Sequence, residues 1–538
     1  MGFQENANHS SRAMKGMARV GPYRIRGEWL GVVMMVGLGC TNPPPRRISL
    51  DPPLSVAPIS QGSAPLPAVS SQGIPDVAEP RSQTPPELDP RPAEPFLTPE
   101  IHQLRRLAQD RILGKQSPPG PQAMPYGPAP TADASVGSDA GVVTQDPTYF
   151  GQYVPVENEA ALESFHRALG RLATARRDKK DTKKVRMLAY GASHTQADVY
   201  TGYLRRYLQS RFGDGGQGFV LLGKVNSWHR MLDTKMENQS LGYRHAHYKN
   251  DVENEPLGLF GAAFVGTTKN AYGEIIVSHD SPNTRFELHY YRQPKGGDVE
   301  IMVDGQVVAT VPTESETEEP AYYGFEATAG AHAIRVRLVG NGSVRLFGIT
   351  AETDSPGVVV DTLGIGGTRM PSALRWSESV WADAIRRRDP VLVTFAYGTN
   401  EAGNTAMAIA PYEQRVREVL ARLRRAAPQT SCVLMAPFDF PLVHDDTLVR
   451  RPVLERIVQA QRRIAKDMGC GFWDGYAFMG GAGSMKRWAS ANPPLASGDH
   501  IHLTRLGYTY VGIALADALM RRYDENPRYW AELSAQSP

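Results

Sequence analysis

Several protein classes are excluded by what this 538-residue chain lacks. It has no long basic run, and its 59 lysines and arginines nearly balance 56 aspartates and glutamates, leaving a net charge of +3. Nothing in that pattern could track a phosphate backbone, so nucleic acid is not expected as a partner. The glycine-rich stretch Phe212 to Phe219 lacks the Lys-Ser/Thr ending of a phosphate-binding loop and follows a helical pattern instead of opening one, so it reads as a packing turn. There are only three cysteines. Cys432 and Cys470 fall in or beside predicted strands and read as buried small hydrophobes, not as a disulfide or a metal pair. The His-x-His pairs at His245 and His247 and at His500 and His502 have no further ligand cluster at suitable spacing, so no metal and no other cofactor is expected. No internal repeat is evident. The length exceeds that of one ordinary domain and implies two or more folded units with an irregular remainder.

The N-terminal residues supply the irregular part. Arg12, Lys15, Arg19, Arg24 and Arg26 precede the apolar run Trp29 to Leu38, which is too short to span a bilayer, and then Gly39-Cys40. Residues 1–40 therefore read as an export signal. The Gly39-Cys40 junction resembles the lipobox of bacterial lipoproteins, which implies lipidation at Cys40, a membrane anchor and a place in the cell envelope. Gly37 and Leu38 depart from the usual residues of that motif, and the alternative is a plain cleaved signal. From 41 to 150 the chain turns to proline, serine, alanine and glycine, with Pro43-Pro44-Pro45, Pro85-Pro86 and Pro118-Pro119. Such a stretch cannot bury enough apolar surface to offset its ordering entropy and is expected to be a disordered tether.

The folded part is expected as α/β residues 151–237, an inserted β-sandwich at 238–352 and α/β residues 353–538. In the insert, short alternating runs such as Phe286 to Tyr291, Val299 to Val303 and Ala333 to Leu338 are separated by Asp-Gly, Gly-Gly and Asn-Gly turns. Its tyrosines Tyr290, Tyr291, Tyr322 and Tyr323 read as sandwich core or surface, with stacking on sugar rings as the alternative. On either side, strand and helix patterns alternate, and Pro390 to Tyr397 is the continuous apolar run that a buried parallel strand uses. The fold class is α/β, a three-layer doubly wound parallel sheet.

Function concentrates at Arg186 to Asp198, an apolar strand that stops at Gly191, followed by Ser193 and a helical pattern at Tyr200, Leu204, Tyr207, Leu208 and Phe212. A serine at the C-terminal edge of such a strand is a candidate nucleophile, and a helix starting beside it leaves free backbone N–H groups, including that of Ser193, for a developing anion. His502 can accept the serine proton, and Asp499, three residues earlier, can hold the imidazole. Asn400 offers a side-chain N–H, and the turn Gly364 to Gly367 offers a backbone N–H. His194 reads as structural.

Serine, glycine, asparagine and Asp-x-x-His in this order resemble the GDSL/SGNH hydrolase family, over about Val185 to Lys235 and Gly357 to Tyr523. The resemblance implies a flavodoxin-like three-layer fold, the triad Ser193, Asp499 and His502, and an oxyanion hole from Ser193, Gly367 and Asn400. Gly364 and Gly366 remain as alternatives on the glycine turn. The family's Gly-Asp-Ser is Gly191-Ala192-Ser193 here, a change expected to alter local bonding without loss of activity. The insert is similar to that of bacterial cell-envelope O-acetylesterases that carry a carbohydrate-binding-like β-domain. The expected activity is a serine esterase that removes O-acetyl or similar small acyl groups from an envelope polysaccharide, peptidoglycan among the candidates. An O-acyltransferase with the same triad and a non-catalytic glycan-binding lipoprotein are the alternatives.

Overall fold

The computed structural model describes residues 153–246, 253–278, 282–445 and 447–535. The signal read at 1–40 with Cys40, the tether at 41–150 and His247 lie outside the described residues.

Five parallel strands make the central sheet: β1 (Val185–Gly191), β2 (Val358–Gly364), β3 (Leu392–Ala396), β4 (Ser431–Met435) and β5 (Gly471–Trp473), in the spatial order β2-β1-β3-β4-β5. Alternate side chains serve opposite faces, as a pleated strand requires. On β1, Val185 and Met187 pack with helices Glu163–Arg177, Tyr200–Phe212 and Arg505–Glu525, whereas Leu188 and Tyr190 pack with helices Glu378–Arg388, Ile409–Ala426 and Pro452–Asp467. With both faces covered, β2 and β4 are buried at every position, and the polar Asp361 and Thr362 on β2 are hydrogen-bonded there.

Between Thr234 and Glu352 the chain builds two antiparallel sheets. One runs Glu319–Glu326, Arg285–Arg292, Val344–Glu352, Ala262–Gly266, Gly242–His245, and the upstream Gly218–Val220 also pairs with Val344–Glu352. The other runs Thr234–Gln239, Tyr272–Val277, His332–Leu338, Asp298–Val303, Gln306–Pro312. Leu288, Phe264 and Ile349 from the first sheet and Ile275, Ile301 and Val336 from the second join one core, continuous with the Tyr190 side of the central sheet. Thr234–Gln239 crosses the expected boundary at 238. Its sequence, Thr-Lys-Met-Glu-Asn-Gln, has too little apolar alternation to announce a strand. Tyr290 and Tyr291 are buried, and Tyr322 donates to Asp383 at 2.5 Å, so these rings serve packing.

A charged clasp fastens the antiparallel region to the central sheet. Glu352 accepts from Arg186 at 2.8 Å and from Arg388 at 2.7 Å, and Arg388 also forks onto Asp361 at 2.8 and 2.9 Å. Burial would raise the Glu352 carboxyl, but the two guanidinium groups outweigh it and hold the group well below the usual carboxylate range. The Phe212–Phe219 turn is a packing element: Gly218 has φ +89°, and Phe219 N–H donates to Asp361 at 2.7 Å.

The cysteine expectation is corrected by the structure. Cys432 and Cys470 form a disulfide with Cα atoms 4.8 Å apart. Cys432 lies on β4 and Cys470 immediately precedes β5, and because Val433 pairs with Gly471 the two cysteines become lateral neighbours. That register is a long-range property invisible in a local pattern.

Candidate active site

Ser193 sits where strand β1 ends. After Gly191 the chain turns at Ala192 into the four-residue helix Ser193–Gln196, whose Thr195 and Gln196 N–H groups both return to the Ala192 carbonyl, at 3.1 and 3.0 Å. Gly191 and Gly364 stand opposite each other on β1 and β2, and a Cβ on either would collide with that helix, at Thr195 and Gln196 respectively. The paired glycines let the serine turn lie directly against the sheet edge. Ala192 provides no carboxylate here. Asp198, fully buried, braces the turn instead, accepting from Thr362 at 2.6 Å, Arg205 at 2.7 Å, Thr201 at 2.8 Å and the N–H of Leu232 at 2.8 Å.

The loop before helix Arg505–Glu525 brings the other two polar groups. His502 Nε2 lies 2.8 Å from Ser193 Oγ, and His502 Nδ1 lies 2.6 Å from Asp499 Oδ2. The second oxygen of Asp499 accepts the N–H groups of Ile501 and His502, each at 3.0 Å, so one carboxylate fixes both the backbone turn and the ring. Burial pushes the Asp499 carboxyl up, but the His502 ring and these two N–H donors outweigh it, and its pKa is lowered. Among the described residues no group of three potential metal ligands converges.

His194 lies behind the His502 ring. Its Nδ1 lies 2.8 Å from Tyr508 Oη, and its ring centroid is 5.4 Å from that of His502. Burial, together with the nearby His502, lowers its pKa to about 3, so it is a neutral wall.

The donors expected to face a developing anion come from three turns. The N–H groups of Ser193 and Gly367 have no partner among the described residues, and Gly367 adopts φ +79°, a left-handed geometry suited to glycine. The N–H of Gly366, by contrast, is taken by Gln196 Oε1, which removes one alternative donor. Asn400 reaches the same turn, giving one amide hydrogen to the Thr368 carbonyl at 2.8 Å and retaining the other. Glu401, which the sequence reading missed, ties these parts together: Oε1 accepts from Met370 N–H at 2.9 Å and Oε2 from Gly398 N–H at 3.0 Å. Its position three residues after Gly398 is the carboxylate half of a capping box, a signal that was available. Gln196 was also overlooked, because its partners lie 30 and 170 residues away.

A serine, an imidazole and a carboxylate in one hydrogen-bonded line, at the C-terminal edge of a parallel sheet and beside unpaired N–H donors, define the serine-hydrolase class of site. Residues 334–510 match the model of the GDSL-like lipase/acylhydrolase family, a span containing Gly367, Asn400, Asp499 and His502 but not Ser193. The chain thus carries a hydrolase domain of GDSL/SGNH type and is a carboxylic ester hydrolase. In fold it is similar to a peptidoglycan O-acetylesterase, with a TM-score of 0.55, 23% identity and coverage of 70% of this chain and 98% of the other. Weaker matches include an acetylxylan esterase from Geobacillus stearothermophilus (TM-score 0.24, 18% identity, 30% of this chain and 73% of the other) and a family two carbohydrate esterase from Cellvibrio japonicus (0.22, 11%, 54% and 98%). Comparison with curated proteins finds no match.

Proposed function

We propose that the protein is a serine esterase that removes O-acetyl or similar small acyl groups from an envelope polysaccharide, peptidoglycan being the first candidate. The observation that carries this reading is the line from Asp499 through His502 to Ser193, at 2.6 and 2.8 Å. His502 Nε2 takes the hydroxyl proton as Ser193 Oγ attacks the ester carbon, and Asp499 holds the ring in the tautomer that makes this possible. Negative charge then develops on the former carbonyl oxygen, toward the N–H groups of Ser193 and Gly367 and the free amide hydrogen of Asn400. The imidazolium returns its proton to the departing sugar oxygen, and water activated by the same imidazole releases the acyl group from Ser193. The side chains of Asp499 and His502 are 45% and 38% exposed. An open site of this kind suits an ester carried on a bulky polymer.

Export agrees with the chemistry of the chain. The Cys432–Cys470 disulfide belongs to an oxidising compartment, and the pattern ending at Gly39-Cys40 supports delivery there with a lipid anchor on Cys40. A Cys40→Ala variant is expected to change processing or leave the membrane fraction, and an unprocessed cytoplasmic protein in the native host would refute export.

The function is tested by fluorophosphonate labelling and p-nitrophenyl acetate turnover in wild type and Ser193→Ala, followed by acetate release from O-acetylated peptidoglycan and acetylated xylan. A labelled, active wild type beside a silent variant is the expected result. Product formed only when an acceptor glycan is added would identify an acyltransferase. Labelling that survives Ser193→Ala would remove the nucleophile assignment.

A further inference from the structure

Trp228 is the most exposed large apolar side chain among the described residues, at 76%, whereas Trp376, Trp381, Trp473, Trp488 and Trp530 are all buried. Its loop is nevertheless tightly held. Asn226 Oδ1 accepts from the N–H groups of Trp228 and His229, each at 3.0 Å, and from Gln196 Nε2 at 2.6 Å. His229 is buried against Phe260, with ring centroids 5.8 Å apart, and anchors the C-terminal side of the loop. The backbone is therefore fixed while the indole projects into solvent.

The fastening also specifies the location. Gln196 lies one helical turn beyond Ser193, and its other amide atom, Oε1, holds the N–H of Gly366 in the turn that carries Gly367. Trp228 is thus linked through Asn226 and one glutamine to both the nucleophile's helix and the oxyanion turn. A flat aromatic surface carried on a fastened loop tied to an open ester-cleaving site matches a ring with an apolar C–H face and a hydroxylated rim, since the face can stack while the rim stays hydrated. The insert offers no equivalent at Tyr290 or Tyr291, which are buried.

We propose that Trp228 is a sugar-binding platform: a pyranose ring of the acylated glycan stacks on its indole while the ester to be cleaved lies at Ser193. This rests on the glycan-esterase reading above and adds the subsite that would hold the polymer. With its backbone held by Asn226, the platform would act through substrate affinity and leave the bond-breaking groups alone.

The test compares kcat/KM of the full-length protein on O-acetylated peptidoglycan, acetylated xylo-oligosaccharides and p-nitrophenyl acetate, for wild type, Trp228→Ala and Trp228→Phe. For Trp228→Ala, the ratio of glycan to p-nitrophenyl acetate kcat/KM should fall about three- to tenfold, through a raised glycan KM, as loss of one aromatic stacking contact implies. Trp228→Phe should recover part of that loss. A ratio unchanged in Trp228→Ala on a glycan the wild type cleaves would overturn the platform and leave the esterase reading standing. Equal losses on all substrates would also overturn it, assigning the loop to support of the oxyanion turn instead. Wild-type activity on p-nitrophenyl acetate with none on either glycan would refute the glycan reading, and the platform with it.

Discussion

Replacing Glu401 should cripple the esterase although this residue touches neither the nucleophile nor its base. The carboxylate is 1% exposed and satisfies two N–H groups on separate segments, Gly398 before Asn400 and Met370 beyond the glycine turn. In Glu401→Ala both donors lose their acceptor, and a buried unsatisfied donor costs about 1 to 3 kcal/mol, so the pair is worth roughly 2 to 6 kcal/mol before entering water reduces it. The turns are expected to relax apart, displacing Asn400 and Gly367 from the positions proposed for stabilising the substrate oxygen. Since losing a single oxyanion donor costs about a hundred- to a thousand-fold in turnover, Glu401→Ala should lower kcat by about a hundredfold or more, with a much smaller change in KM. Glu401→Gln keeps one carbonyl acceptor but aims its amide hydrogens at the second donor, and should fall between. The assay is p-nitrophenyl acetate turnover per folded molecule, with folding checked by circular dichroism, for Glu401→Ala, Asn400→Ala and the double variant. If Glu401 acts by positioning Asn400, its substitution should cost far less in the Asn400→Ala background. Fully multiplicative losses, or a Glu401→Ala enzyme with wild-type kcat, would refute the reasoning.

Three other outcomes are expected. His502→Ala should nearly abolish turnover and Asp499→Asn should cost up to about ten-thousand-fold, while His500→Ala does much less; the reverse order in steady-state assays would break the triad assignment. Removing the disulfide by Cys432→Ser, which opens a loop with a sequence separation of 38, should destabilise the protein by about 4 kcal/mol, read as a lower thermal midpoint that reducing agent reproduces in wild type. Two free thiols in protein made under oxidising conditions would count against that bond. Finally, burial lowers the pKa of His166 to about 4, of His194 to about 3 and of His229 to about 4, against about 6.5 in the unfolded chain. Below pH 6.5 the unfolded state binds these protons and the folded state does not, so stability must fall with pH toward 4, approaching roughly 4 kcal/mol per unit for the three together. A thermal midpoint that stays flat from pH 7.5 to 4.5 would contradict it.

Much of this protein is written in local pattern. The largely apolar run of β3 announces a buried parallel sheet, because a strand covered on both faces has no polar side to display. The strand, glycine, serine and helix order around Ser193 and the Asp499-x-x-His502 spacing were equally legible, since a turn of a few residues fixes which side chains converge. Other features needed the third dimension. Thr234–Gln239 and Glu319–Glu326 are strands only because neighbours pair with them, their own residues being largely polar or half-exposed. The same holds for Cys432 and Cys470, which meet through the β4–β5 register. Glu401, Gln196 and Asp198 acquire their roles from N–H groups and side chains contributed by distant segments. Sequence by itself determined which groups could do the chemistry and which local turns would carry them. Tertiary structure decided how those turns are braced against one another, because a buried polar atom takes its partners from whatever the fold brings beside it.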